Sequence, residues 1–263
     1  MKNKILLISL FSIAFSFAQQ TLKVEYNQIF NTDFPLIRTA LLQVNPTSSV
    51  YVDIMKSHRD LLNPDDVNFS YLEKLNVDDN ILSGQKFSLV VGANFDDYFF
   101  YDVINDKLSY TDELGKKQFY ITDDYKLNWY ITTETKTIAN YKTYKAITKF
   151  RGRTWEALFA PELAYPYGPW KLHGLPGLIL EAYDTTRTIN FTAIKVFKDK
   201  TNLTFTPDNL PKLSFKDFKL RNFEFIENIL TIPVDNNTKV INHNVGRKGL
   251  ELIYEWETET PTK

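Results

Sequence analysis

The stretch Tyr144-Lys145-Ala146-Ile147-Thr148-Lys149-Phe150-Arg151-Gly152-Arg153-Thr154-Trp155-Glu156-Ala157-Leu158-Phe159 decides the fold class. Read with a period of two, Tyr144, Ala146, Thr148 and Phe150 share one face of a strand, and Trp155, Ala157 and Phe159 share one face of the next. Arg151-Gly152 separates the two runs, so together they predict a β-hairpin that turns there.

The same alternation continues in both directions. Strands are expected at residues 21–30, 37–44, 50–54, 98–104, 108–112, 118–122 and 128–134 before the hairpin, and at 178–183, 188–197 and 250–256 after it. Breaks such as Asn45-Pro46-Thr47-Ser48, Asn105-Asp106 and Leu114-Gly115-Lys116 are rich in residues that accept turn geometry. Sequential strands joined by short turns make an antiparallel meander. Residues 214–230 break the pattern: Ser214 can cap a helix, Asp217 favours its positive end, and Phe215, Phe218, Phe225 and Ile229 recur at helical spacing. The expected fold is therefore mainly β, in the α+β sense: a curved antiparallel sheet or half-open β-barrel meander with a C-terminal helix packed on it. Residues 70–81 read as an irregular or helical insertion, and no pattern assigns a role to the wider 56–97 stretch.

The N-terminus reads as a secretory signal peptide, residues 1–18. Lys2 and Lys4 precede an apolar run from Ile5 to Phe17, and Ser16 and Ala18 are the small residues that a cleavage enzyme accepts. The run falls short of the roughly 20 apolar residues that a membrane span needs, and no later stretch reaches that length. Cleavage after Ala18 would leave residues 19–263 as a single domain in the periplasm or outside the cell. No repeat or long linker suggests a division.

Composition narrows the chemistry. Of 263 residues, 43% are hydrophobic and none is cysteine, which excludes disorder, a disulfide scaffold and a thiolate metal site. The net charge is −1 with both signs mixed along the chain, which offers nothing to a nucleic acid. His58, His173 and His243 have no metal-ligand spacing, and the Gly-x-Ser-x-Gly elbow and phosphate-binding glycine loops are absent, so no metal, cofactor or catalytic residue is assigned. Asp65-Asp66, Asp78-Asp79, Asp96-Asp97 and Asp123-Asp124 lack the alternation of a calcium loop and read as solvated turns. The 20 Phe, 15 Tyr and 4 Trp fit a thick β core, or the wall of an apolar or carbohydrate site.

One segment stands apart: Tyr167-Gly168-Pro169-Trp170-Lys171-Leu172-His173-Gly174-Leu175-Pro176-Gly177-Leu178-Ile179-Leu180-Glu181-Ala182. Pro176 fixes φ and Gly177 accepts positive φ, so Leu175-Pro176-Gly177-Leu178 suits a type II turn feeding a buried strand. The run Gly174-Leu175-Pro176-Gly177-Leu178-Ile179 resembles the signature of the GLPGLI family. Trp129, Thr135-Lys136-Thr137-Ile138-Ala139-Asn140-Tyr141-Lys142, Thr154-Trp155, Pro161-Glu162 and Gly168-Pro169 are similar to that family as well. The resemblance implies an exported bacterial protein without established activity, of a kind often found beside outer-membrane TonB-dependent transporters, and it carries no catalytic residues. The strand order is also similar to that of LolA-like periplasmic lipoprotein carriers.

The expected function is thus a non-enzymatic binding or accessory protein of the cell envelope, for an apolar or peptide ligand or for such a transporter. Gly174, Leu175, Pro176, Gly177 and Leu178 would shape the rim of its site, with Trp155 and Trp170 as anchors. An envelope hydrolase using His173, Glu162 and Asp184 is one alternative, and a purely structural envelope protein another.

Overall fold

A computed structural model of the chain describes residues 21–31, 36–53, 95–115, 117–203, 206–230 and 249–258. The expectations for residues 1–18 and 70–81, and most of the 56–97 stretch, lie outside them. The described residues form β1 (Thr21–Phe30), β2 (Leu36–Val44), β3 (Ser48–Asp53), β4 (Asp97–Asp102), β5 (Lys107–Leu114), β6 (Lys117–Asp123), β7 (Tyr130–Ile138), β8 (Tyr141–Phe150), β9 (Arg153–Ala160), β10 (Leu178–Asp184), β11 (Ile189–Asp199) and β12 (Lys212–Ser214). Two helices follow, α1 (Phe215–Leu230) and the single turn α2 (Glu255–Thr258).

The decisive hairpin is β8–β9, with Phe150 paired to Arg153. Arg151 at φ 44° and Gly152 at φ 82° give two consecutive left-handed residues, as a two-residue turn matched to strand twist requires. Ala139 and Asn140, at φ 47° and 70°, do the same between β7 and β8. The chain builds one open sheet in the order β12-β6-β5-β4-β3-β2-β1-β11-β10-β9-β8-β7. Eleven strands pair antiparallel; β12 lies parallel to β6, so the sheet is mixed rather than wholly antiparallel.

This order forces curvature. Laid flat, β6 and β7 would stand about 48 Å apart at the usual strand spacing. Yet residues 124–129 join them, and that much chain reaches about 25 Å at most. The sheet therefore curls until its ends approach, and Arg151 of the β8–β9 turn grips Asp123 at the end of β6 with paired bonds of 2.8 and 2.6 Å.

Register sets the concave face, because directly paired residues of antiparallel strands point the same way. One row across it holds Ile121, Tyr110, Phe99, Tyr51, Leu42 and Val24, and all but Phe99 are buried. The next row holds Phe119, Asp112, Asp97, Asp53, Ala40 and Tyr26; Asp97 and Asp112 lie two residues beyond the Phe99–Tyr110 pair.

α1 begins as expected: the Asp217 N–H donates to Ser214 Oγ at 3.1 Å, and the Ser214 hydroxyl donates to Asp217 Oδ2 at 2.7 Å. Phe215 and Phe218 are buried at its N-terminal end, Phe218 against Phe119 of β6, whereas Phe225 is 38% exposed. The helix thus sits on the sheet end by its first turns, with Phe223 packed against the core and the Phe225 ring beside Gly115 at the β5–β6 turn. Residues 250–256, expected as a strand, run irregularly into α2. Their alternation serves packing on α1 instead, with Tyr254 and Trp256 both against Phe215.

Candidate functional site

The loop 161–177 between β9 and β10 folds back over the concave face. Trp170 meets Trp155 at 5.5 Å between ring centres, and Trp155 stacks on Phe191 of β11. A loop inside a core carries backbone groups that need partners, and aromatic side chains supply them. The Tyr125 hydroxyl donates to the Lys171 carbonyl and the Trp129 indole N–H to that of His173, at 2.5 and 2.8 Å, and the Tyr26 hydroxyl donates to the Ile179 carbonyl at the start of β10 at 2.5 Å. The Gly177 N–H donates to the Leu175 carbonyl at 2.8 Å. Pro176 is therefore the centre of a three-residue turn, not the corner of a type II turn. At Gly177 a Cβ would lie 2.4 Å from the Ala160 carbonyl oxygen, so glycine is needed there for close backbone approach.

Of the residues expected to shape a site, Trp155, Leu175 and Leu178 are at most 1% exposed, Gly177 is buried, and Gly174 and Pro176 face outward at the turn. Trp155 packs on Trp170, which lines a large opening among the described residues. His173, Glu162 and Asp184 do not come together as a catalytic group. His173 stacks on Tyr101 at 3.9 Å, and burial lowers its pKa to about 4. Asp184 accepts from Arg153 and from the Ile189 N–H, while Glu162 is exposed.

Next to Trp170 lies an ion network that the sequence did not reveal. The Lys171 ammonium, 2% exposed, donates to Asp123 at 2.7 Å and to Glu251 at 2.8 Å. Arg151 adds its paired bonds to Asp123, one to Glu251 at 2.5 Å and one to the half-exposed Glu255 at 2.8 Å. Phe215 covers the guanidinium at 3.8 Å and the ammonium at 4.5 Å. Burial pushes the Asp123 and Glu251 carboxyls up, but Lys171 and Arg151 outweigh it and hold both below their ordinary values. Two cations facing two buried anions make the cluster self-neutralising.

Above this network opens a cavity of about 410 Å³ between β4, β5, α1 and residues 249–254. Phe99, Tyr110, Trp170, Phe223 and Tyr254 supply rings to its wall; Asp97, Asp112, Lys219 and Asn222 supply polar groups. Asp53, Asp97 and Asp112 stand in one register row across three neighbouring strands. Arg38 binds Asp53 at 3.0 Å, and Lys219 faces Asp112 at 3.9 Å. The Asp97 side chain makes no hydrogen bond or close ion pair among the described residues, and Arg38 is the positive charge that acts on it. Burial raises its carboxyl well above the ordinary range, with repulsion from Asp112 and Asp53 adding to the effect. Burial raises Asp112 too, against the pull of Lys219. The Tyr110 hydroxyl, on a residue 3% exposed, also has no partner. Sequence reading assigned Asp96-Asp97 and Asp123-Asp124 to solvated turns, yet Asp97 and Asp123 face the interior. In an extended chain one of two neighbours must point inward, and that was the available signal.

No protein-family model and no curated protein matches the chain. The resemblance to the GLPGLI family therefore rests on the quoted residues alone. Among solved structures, two crystal forms of a protein called PNGF-II, in space groups C2 and P21, are similar with TM-score 0.54 and 16% identity. The likeness covers 78% of this chain but only 33% and 34% of theirs, so the shared unit is about a third of PNGF-II. At that identity the likeness speaks for the fold alone. An outer membrane lipoprotein-sorting protein domain from Vibrio parahaemolyticus is similar at TM-score 0.24 and 8% identity.

Proposed function

We propose that this chain is an exported, non-enzymatic binding protein of the cell envelope, a half-open barrel that takes an apolar or peptide ligand into the cavity beside α1. The observation that supports this reading is the cavity itself. At about 410 Å³, with five aromatic residues and a few polar groups on its wall, it has the size and lining of small-molecule sites. Within this reading the 174–178 turn and Trp155 act by holding Trp170 in place. An outer-membrane TonB-dependent transporter, to which such a protein would deliver or from which it would receive, belongs to the same proposal. No helix among the described residues is long and apolar enough to cross a membrane.

The test is native mass spectrometry of the protein purified from its own periplasm without detergent, beside an Asn222→Trp variant whose indole fills the cavity from α1. Extra mass that vanishes on denaturation, present in the parent and absent from a normally folded variant, is the expected result. A bare parent, or a ligand retained unchanged by the variant, overturns the proposal.

A further inference from the structure

β4 carries rings on both faces of the sheet. Phe99 and Tyr101 point to the concave side, so Tyr98 and Phe100 point to the outer one. There Phe100 stacks on Tyr98, with ring planes 8° apart and centres at 6.2 Å, and its centre is also 6.2 Å from that of Tyr120 on β6. All three residues are half-buried. Beside them an open groove of about 360 Å³ runs over the outer face of β3 to β6 and β12. Val50, Phe100, Ser109 and Thr122, paired strand to strand, form one row across its floor.

The polar groups of this groove are of two kinds. Ser109 is only 5% exposed, yet its hydroxyl lines the groove and makes no hydrogen bond among the described residues. Thr122 and Tyr120 add hydroxyls beside it. A hydroxyl both donates and accepts, and a wholly apolar ligand would leave the one on Ser109 unmet. The charges are Lys107 and Lys212, and neither forms an ion pair among the described residues. The acid on the same lining, Asp102, is already occupied: it accepts from the Asn105 side-chain amide at 2.6 Å and from the N–H groups of Asn105 and Ile104 at 3.2 and 2.9 Å. Lys107 and Lys212 lie two strand spacings across and four residues along from each other, so their Cα atoms stand about 16 Å apart.

We infer that this outer groove binds an acidic carbohydrate, a short oligosaccharide of uronate type, with a sugar ring on Phe100, sugar hydroxyls on Ser109 and Thr122, and carboxylates on Lys107 and Lys212. The apolar face of a pyranose presents C–H groups to the negative face of an aromatic ring, while its rim presents hydroxyls. An acyl chain would use the rings and ignore the hydroxyls and lysines. A bare polyanion would use the lysines and ignore the rings. An added peptide strand needs a free sheet edge, and β4 and β5 are interior strands. The groove shares no residue with the cavity beside α1 and lies on the opposite face of the sheet, so the two readings stand or fall separately.

The test is isothermal titration calorimetry of the purified protein with trimers of galacturonate and of mannuronate, each as the free acid and as its methyl ester, and with tripolyphosphate as a polyanion without rings. At low salt one acid trimer is expected to bind about tenfold more tightly than its ester, as two solvent-facing lysines supply, and the gap should close as salt is added. Tripolyphosphate is expected to be the weaker anion. Lys107→Gln combined with Lys212→Gln should bring the acid down to the ester and leave the ester unchanged. Thr122→Trp, whose indole fills the floor, should remove binding of both. Both lysines are exposed, so the double variant keeps the fold and decides the point even where Thr122→Trp does not fold. No binding by any trimer, equal binding of acid and ester, an acid preference that survives the double lysine variant, or tripolyphosphate binding as tightly as the acids overturns the inference.

Discussion

Lys171→Met offers the sharpest test of how the loop is held. The substitution keeps most of the stem volume and removes an ammonium with two carboxylates at 2.7 and 2.8 Å. Asp123 and Glu251 then share Arg151 alone, so one buried negative charge goes uncompensated. Breaking a buried pair in this way costs about 3–5 kcal/mol, a large fraction of the roughly 5–15 kcal/mol that a domain possesses. The pH dependence has a definite sign. In the parent both carboxyls are depressed, so their contribution is present above the unfolded carboxylate range and is lost as pH falls through the folded values. In the variant, burial is no longer outweighed at Glu251, so its folded pKa rises above the unfolded one. Stability is then lost as pH climbs through that raised value. The gap between parent and variant should therefore be widest at neutral pH and narrow at mildly acidic pH, as Glu251 takes up a proton. Urea unfolding of both proteins at the two pH values measures it. Adding Glu251→Leu should recover much of the loss, since the remaining Arg151–Asp123 pair is again balanced. A gap below about 1 kcal/mol at neutral pH, or one that widens on acidification, would refute the reasoning.

Two further outcomes follow from the same region. Gly177→Ala places its methyl 2.4 Å from the Ala160 carbonyl oxygen, and backbone cannot move aside cheaply. It should cost about 3 kcal/mol or more by chemical denaturation, whereas Gly174→Ala, with open space around it and only a φ of 87° to strain it, should cost about 1. His173 is a base whose folded pKa is lowered by burial to about 4, so it stabilises the fold above the unfolded value of 6.5 and that contribution is lost as pH falls from 6.5 to 4. Integrated over this window the loss approaches about 3 kcal/mol. His173→Gln should flatten the acid limb of the stability curve, and an unchanged limb would place the acid sensitivity elsewhere.

Period-two alternation made the strands legible because one face of each is dry and the other wet. β1 is found at residues 21–30, as expected, and β8 and β9 flank the Arg151-Gly152 turn. Alternation fails where both faces differ from that case. β7 is exposed along nearly its whole length, so its expected end at residue 134 falls short of the observed Ile138. β12 is too short to show a period. Residues 250–256 alternate because Tyr254 and Trp256 pack on α1, which a period cannot distinguish from pairing in a sheet. The ion network was illegible for another reason. Asp123, Arg151, Lys171 and Glu251 are brought together only by the curl of the sheet and the return of the loop, and nothing local in the sequence marks charges that meet in this way.

The GLPGLI-like segment was legible as a tight corner, but its place relative to a site depends on which concave row it covers. Trp170, Leu172 and His173 lie over the row of Leu108, Tyr101 and Ser49 and part of the next, leaving a gap of only about 10 Å³. The loop stops there. Over Asp112 and Asp97 only its edge, Trp170 and Lys171, contributes, and α1 and residues 249–254 form the other side of the cavity. Trp170 marks the boundary, and its φ of 55° is a conformation that a bulky residue holds only when its surroundings impose it. Packing and recognition therefore occupy adjoining rows of one face. Substitutions in residues 174–178 should act on melting first, and those at Asp97 and Asn222 on binding with melting little changed. A single signature segment serving both roles would instead couple the two readouts.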